Sequence, residues 1–158
     1  MPPTTPRWCL VAPTRYVGID VSKASLDLAC VASAPSASEH PAVPAAGRPG
    51  RLPNTAAGIA ALVRQVQAWQ PTLVVLEATG AYHVAVLQAL AAVAVPVALA
   101  NPAQIKAFRQ VTLGRNKTDR LDAQLLARFA ASQGATLRRY TAPPPAQQEL
   151  RELLAYRE

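Results

Sequence analysis

YVGIDV (Tyr16–Val21) and LDLACVA (Leu26–Ala32) set the architecture of this chain, because they are two β-rich runs separated only by the turn residues Ser22–Ser25 (SKAS). This pattern predicts an antiparallel hairpin at the start of the domain. Residues 33–50 contain Pro, Ser, Ala and Gly with little periodicity and predict a loop, followed by a short third strand at Arg51–Asn54.

Helical and apolar runs alternate after the hairpin. Thr55 is a suitable N-cap for a helix that runs to Trp69, and Leu73–Leu76 (LVVL) is typical of a buried strand. Further elements are expected at 82–93 (helix), Pro96–Ala100 (strand), Pro102 to about Val111 (helix) and about Thr118 to Ser132 (helix). The order predicts an α/β fold, a mixed sheet flanked by helices, of which the ribonuclease H-like architecture is one of several examples.

Composition and charge limit the classes of function open to this chain. The 158 residues suffice for about one domain, and 51% hydrophobic against 16% charged residues excludes an extended disordered chain. The net charge of +7 predicts an anionic partner, with nucleic acid ahead of a membrane surface. Residues 106–139 hold eight bases and two acids, a local charge of +6, whereas the rest of the chain carries +1. This concentration favours a docking surface.

Several other classes of protein are excluded or disfavoured. Cys9 and Cys30 form neither a disulfide framework nor a zinc motif. Residues 1–14 contain four prolines and no apolar core of a signal peptide, and we expect a poorly ordered tail there. The longest apolar stretch, Leu87–Ala100, is too short to span a bilayer. We therefore expect a soluble cytoplasmic protein, associated with the nucleoid and not with a membrane.

Four of the nine acidic residues lie at strand ends or on a helix, where side chains can line a ligand site. Asp20 closes the first strand and Glu77 closes the buried strand, and ligands of open α/β sheets bind beyond such strand ends. Asp119 and Asp122 are three residues apart on one face of a predicted helix. Asp20 could equally cap the Ser22 turn, and spacing alone favours a helix cap for the aspartate pair. Asp27 is expected to be solvated.

Four carboxylates brought together would repel one another unless cations neutralised them. Two divalent ions would supply this charge, and magnesium suits oxygen ligands while leaving positions for phosphate oxygens. Two such ions about 3.5–4 Å apart can stabilise the attacking and leaving oxygens of phosphoryl transfer. Neighbouring bases would hold the nucleic-acid backbone, and the candidates are Lys23, Arg115, Lys117 and Arg120.

Four strings together resemble the DEDD transposases of bacterial insertion sequences (family one-ten). They are Gly18–Lys23 (GIDVSK), Leu76–Gly80 (LEATG), Asn101-Pro102 and Lys117–Ala123 (KTDRLDA). The resemblance covers about residues 15–140 and implies a domain like the Holliday-junction resolvase RuvC, with a ribonuclease H fold. It implies that Asp20, Glu77, Asp119 and Asp122 are the catalytic acids that bind the metal. The metal would be two Mg²⁺ ions, or Mn²⁺.

The resemblance also implies partners. In the family this domain works with a C-terminal domain that carries a catalytic serine, and the enzyme cuts and rejoins DNA as a homo-oligomer guided by a structured RNA. Residues 141–158 would be a linker and the first part of a helix, so we expect a truncated chain that is inactive alone.

Two alternative functions remain open at this point. The chain could be a non-catalytic nucleic-acid-binding fragment, because the serine domain is missing. It could instead be a phosphotransferase of the actin and sugar-kinase type, since those proteins also begin with a hairpin that contains a similar Gly-Ile-Asp string. The absence of a glycine-rich phosphate loop argues against the phosphotransferase.

Overall fold

The computed structural model describes residues 14–33, 45–78, 80–113 and 120–143. Within these ranges the elements are β1 (Thr14–Val21), β2 (Ser25–Ser33), β3 (Ala45–Pro53), α1 (Ala56–Trp69), β4 (Leu73–Glu77), α2 (Val84–Ala92), β5 (Val97–Ala100), α3 (Pro102–Leu113) and α4 (Arg120–Gln133). The sheet order is β3-β2-β1-β4-β5. β1 is antiparallel to β2 and parallel to β4, which is parallel to β5. The expected hairpin and the mixed sheet flanked by helices are confirmed.

The hairpin is closed by serine hydrogen bonds. The backbone N–H of Ser25 donates to the side-chain oxygen of Ser22, and the N–H of Ser22 donates to the carbonyl oxygen of Ser25, both at 2.9 Å. The side-chain amide of Asn54 donates to the Ser22 carbonyl at 2.8 Å and ties the turn to the end of β3. The turn fixes the register in which Asp20 lies opposite Asp27.

The third strand corrects the sequence prediction. Residues 45–50, expected to be loop, belong to β3, which pairs with β2 and ends at Pro53. Proline and glycine are tolerated because β3 is the edge of the sheet, where a missing ladder donor can face away from the neighbouring strand. Register shifts between Leu28 and Val31 absorb the irregularity on the partner strand.

Helices cover both faces of the sheet. The side-chain oxygen of Thr55 accepts a hydrogen bond from the N–H of Gly58 at 3.2 Å, which confirms the predicted N-cap of α1. Successive residues of β4 alternate between the two faces. One face buries Leu62, Val66, Val86, Leu87 and Leu90 of α1 and α2. The other buries Ile105, Leu125, Leu126 and Phe129 of α3 and α4. The sheet is therefore the middle layer of three.

Gly18 lets α4 pack directly onto β1. A Cβ atom at this position would lie closer than 3.0 Å to the carbonyl oxygen of Ala123, the amide nitrogen of Ala127 and the Cβ of Leu126. Two of these three atoms are backbone, so no side chain can move aside to make room. The missing side chain therefore fixes both the height and the register of α4 on the sheet.

The chain returns to the sheet after α4. Ala98 forms a bridge with Arg139, and the N–H of Tyr140 donates to the carbonyl oxygen of Val97 at 2.7 Å. These contacts cover part of the β5 edge and anchor the C-terminal end of the α4 segment. Among the described residues, no helix has the length and apolar character needed to cross a membrane.

Replacing Gly18 with Ala should lower the free energy of unfolding by at least about 2 kcal/mol, because the added methyl group collides with the α4 backbone. Denaturant unfolding followed by circular dichroism measures the change. Gly50→Ala is the matched control, since a Cβ at position 50 of β3 would meet only the Gln65 side chain at an ordinary 3.7 Å. The control should change stability by less than about 1 kcal/mol. Equal effects of the two variants would contradict the argument.

Candidate active site

The first two acids lie side by side where β1 and β4 end. Ile19 pairs with Leu76 in parallel register, so the next residues, Asp20 and Glu77, are neighbours at the same edge of the sheet. Asp20 is two residues after Gly18 and shares its face of the sheet, the face beneath α4. Glu77 is likewise two residues after Val75, which packs with α3 and α4. Both carboxylates therefore stand on the face that α3 and α4 cover.

The third acid reaches them from α4. Asp122 lies in the first turn of this helix, one residue before Ala123, which sits on Gly18. The contact at Gly18 therefore sets the N-terminal turn of α4 beside the end of β1. The partial positive charge of a helix N-terminus stabilises a carboxylate in this position. The structure thus brings together three of the four acids predicted from the sequence.

The electrostatics of Asp20 show how close these acids are. Burial raises the pKa of Asp20 from its usual 3.8 to about 6, and the negative charges of Asp122, Asp27 and Glu77 add to the increase. The positive charge of Arg109 opposes it. Because charge interactions weaken with distance and solvent, these contributions place Asp122, Asp27 and Glu77 within electrostatic reach of Asp20.

Glu77 shows the same pattern. Burial raises its pKa, Arg109 lowers it, and Asp122 raises it. The two strand-end carboxylates thus have the same neighbours, a negative one on α4 and a positive one on α3.

Arg109 is a site residue that sequence reasoning missed. Its Nη2 donates to Oδ1 of Asp122 at 2.5 Å, so α3 and α4 are joined by an ion pair at the acidic site. In the sequence it was only one of eight bases in residues 106–139. A usable signal was its place in a helix that directly follows a parallel strand, because such a helix begins at the edge where the strands end.

Asp27 corrects another expectation. It was expected to be solvated, but its side chain is only 14% exposed and forms an ion pair with Arg51. The guanidinium contacts both carboxylate oxygens, at 2.8 and 3.0 Å. Asp27 lies opposite Asp20 on β2 and is ion-paired from β3.

The remaining predicted site residues stand as follows. Lys23 is exposed in the hairpin turn, three residues after Asp20. Arg120 begins α4, and only its backbone is described. Asp119, Arg115 and Lys117 lie outside the described residues.

The donor set of this site fits a hard divalent cation in its chemistry. The donors are carboxylate oxygens, the ligands that magnesium and manganese prefer, and their mutual repulsion is what a cation would relieve. The geometry is less complete, because no group of three or more acidic, histidine or cysteine residues in the described part of the chain is placed to hold a metal ion. One oxygen of Asp122 is engaged by Arg109 instead.

The fold belongs to the ribonuclease H-like class, in the form found in RuvC resolvases. Thermus thermophilus RuvC is similar with a TM-score of 0.54 and 19% identity, over 80% of this chain and 100% of that one. RuvC of T. thermophilus in complex with a Holliday junction substrate is similar with a TM-score of 0.53 and 16% identity, over 80% of this chain and 99% of that one. The fowlpox virus Holliday junction resolvase is similar with a TM-score of 0.53 and 11% identity, over 78% of this chain and 100% of that one.

Sequence similarity assigns the family. The family model of the DEDD transposases of IS110 elements, described as "Transposase", matches residues 17–158. The chain therefore belongs to this transposase family, as the four sequence strings indicated. No curated protein matches the chain.

The raised pKa of Asp20 predicts a pH-dependent cost of its charge. Because the folded state binds this proton more tightly than the unfolded state, stability falls as the pH rises between about 4 and 6. Asp20→Asn should raise the free energy of unfolding at pH 7.5 by about 1–2 kcal/mol after allowance for solvent screening. The gain should be clearly smaller at pH 4.5. Denaturant unfolding in EDTA measures both values, and an equal gain at the two pH values would refute the assignment.

Proposed function

We propose that this chain is the metal-dependent catalytic domain of an insertion-sequence transposase that cuts and rejoins DNA. The observation that carries the proposal is the convergence of Asp20, Glu77 and Asp122 at one edge of the sheet in a member of a transposase family. A structural role explains this convergence poorly, because burial and mutual repulsion make the charged acids costly. Natural proteins retain such costly groups chiefly at functional sites.

Four carboxylates would hold the metal in this proposal. They are Asp20, Glu77 and Asp122 together with Asp119, the residue that precedes α4. Two Mg²⁺ ions, or Mn²⁺, would when bound stabilise the charge on the attacking and leaving oxygens of a phosphodiester. The chain itself contributes rigidity, because Asp20 and Glu77 stand on internal strands and Asp122 stands on a helix fixed at Gly18.

Basic residues around the acids would hold the DNA backbone. Lys23 lies in the turn just beyond Asp20, and Arg115, Lys117 and Arg120 belong to the segment that leads from α3 into α4. Contacts of this kind position a duplex without reading its sequence. They also offset the repulsion that the carboxylates exert on an approaching phosphate.

The further partners that we propose are a structured guide RNA and additional copies of the enzyme, and both follow from the family resemblance. Membership of the transposase family favours this function over a phosphotransferase. A purely non-catalytic DNA-binding role is the outcome if the acidic site takes up no metal.

Metal binding is the direct test of the site. The folded chain should take up Mn²⁺ or Mg²⁺ in titration calorimetry, and Asp20→Asn or Glu77→Gln should weaken the affinity at least about tenfold because each removes a ligand. Asp27→Asn is the control for the loss of one negative charge, since this carboxylate is ion-paired with Arg51 and its charge also acts on Asp20, and the affinity of the variant should stay within about threefold of the unaltered chain. Absence of ion uptake by the folded chain would overturn the catalytic proposal.

DNA binding should depend on salt through the basic segment. Arg115→Gln and Lys117→Gln should each reduce the slope of log K against log salt concentration by about 1, because each removes one phosphate contact. Fluorescence anisotropy with a short duplex at several salt concentrations measures the slope. Arg64→Gln on α1 is the control, because α1 covers the opposite face of the sheet. If Arg64→Gln lowers the slope equally, the binding surface has been assigned to the wrong face.

A further inference from the structure

The guanidinium of Arg109 is a positive charge placed among the acids of the site. It donates to Asp122 at 2.5 Å, and it lowers the pKa of both Asp20 and Glu77. The side chains of Arg109 and Asp122 are 28% and 30% exposed, so the pair is partly withdrawn from water. Arg109 therefore faces three carboxylates that belong to β1, β4 and α4.

The hydrogen bonding of Arg109 is incomplete. Its Nε is buried and has no hydrogen-bond partner among the described residues. A buried donor without a partner is destabilising. An arginine serving only to join two helices would be expected to satisfy its buried donors. This one is held mainly by the negative charge in front of it, which a different cation could neutralise instead.

Space for an alternative position lies next to the ion pair. A cavity of about 440 Å³ is lined by Arg109 together with Glu77, Pro102, Ile105, Lys106 and Gln110. The guanidinium can therefore leave Asp122 without entering the packed core.

We propose that Arg109 is the built-in counter-ion of the metal-free site, and that it competes with a divalent cation for Asp122. The inference rests on the proposed function. In the absence of metal, Arg109 offsets the repulsion between the acids; when an ion binds, the guanidinium leaves Asp122 toward the cavity beside α3. Because an ion must displace Arg109 before Asp122 can bind it, the ion pair lowers the apparent metal affinity. The alternative is that Arg109 supports the site, in which case its loss would weaken metal binding.

Titration calorimetry with Mn²⁺ on the whole chain separates these possibilities. Arg109→Gln should bind Mn²⁺ about tenfold more tightly, a typical size for coupling between two sites. In EDTA the same variant should unfold at a lower temperature, because the acids lose their counter-charge. Lys106→Gln is the matched control: it removes one charge from an exposed position one turn earlier on α3, and its affinity should stay within about twofold. Circular dichroism establishes that each variant is folded.

Each result has a distinct meaning. Unchanged or weaker Mn²⁺ binding by Arg109→Gln overturns the inference and leaves the proposed function standing, provided that the unaltered chain binds the ion. Equal tightening by Arg109→Gln and Lys106→Gln also overturns it, since net charge alone would then explain the effect. If neither the unaltered chain nor Arg109→Gln binds Mn²⁺, the proposed function fails as well. Should Arg109→Gln not fold, Arg109→Lys replaces it, with a two- to threefold gain expected and no gain counting against the proposal.

Discussion

The close contact between α4 and β1 at Gly18 is the constraint on which the candidate site depends. Asp122 has no link to Asp20 in the sequence, and about a hundred residues separate them. They become neighbours because Ala123 and Ala127 rest on a strand position that has no side chain. Small residues continue the contact on β2, where Ala29 faces the same stretch of α4. The geometry of the candidate site thus depends on backbone approach, which tolerates far less change than contacts between flexible side chains.

Rigidity at this edge of the sheet comes with an electrostatic cost. Asp20 and Glu77 stand at the ends of strands whose preceding residues are completely buried, so water screens their charges poorly. The fold answers the two aspartates of the hairpin differently. Asp27 receives a permanent partner in Arg51, which neutralises it from the edge strand. The pKa of Asp20 is instead raised, because burial and the neighbouring negative charges outweigh the positive charge of Arg109. One aspartate of the hairpin is thus ion-paired with the edge strand, whereas the other keeps a raised pKa.

The limits of sequence prediction in this protein follow from where the information resides. Local signals sufficed for the hairpin, for the Thr55 cap and for the buried strand at Leu73, because turn residues, hydrogen-bonding side chains and apolar runs act within a few positions. They failed at residues 45–50, whose proline and glycines are typical of a loop and which form a strand only through pairing with β2. The ion pairs of Asp27 and Arg109 were missed for a related reason, since each joins residues from separate elements. Strand ends and a helix start drew attention to Asp20, Glu77 and Asp122, but spacing alone favoured a helix cap for Asp122, and only the family resemblance assigned it to the site. The contact at Gly18 that unites them could not be read from the sequence.

The basic segment between positions 106 and 139 includes the two helices that pack beside the acids. These two helices are consecutive in the chain and cover the same face of the sheet, the face on which Asp20 and Glu77 stand. Lys106 and Arg109 of this segment line the cavity beside Glu77, whereas Arg139 donates to the Thr72 carbonyl at the opposite end of β4. Three carboxylates alone would repel the phosphates of a nucleic acid, whereas a surrounding positive field attracts them. In the proposed function the site holds cations and also admits a polyanion, so it needs both kinds of charge, and α3 contributes Lys106 and Arg109 while α4 contributes Asp122.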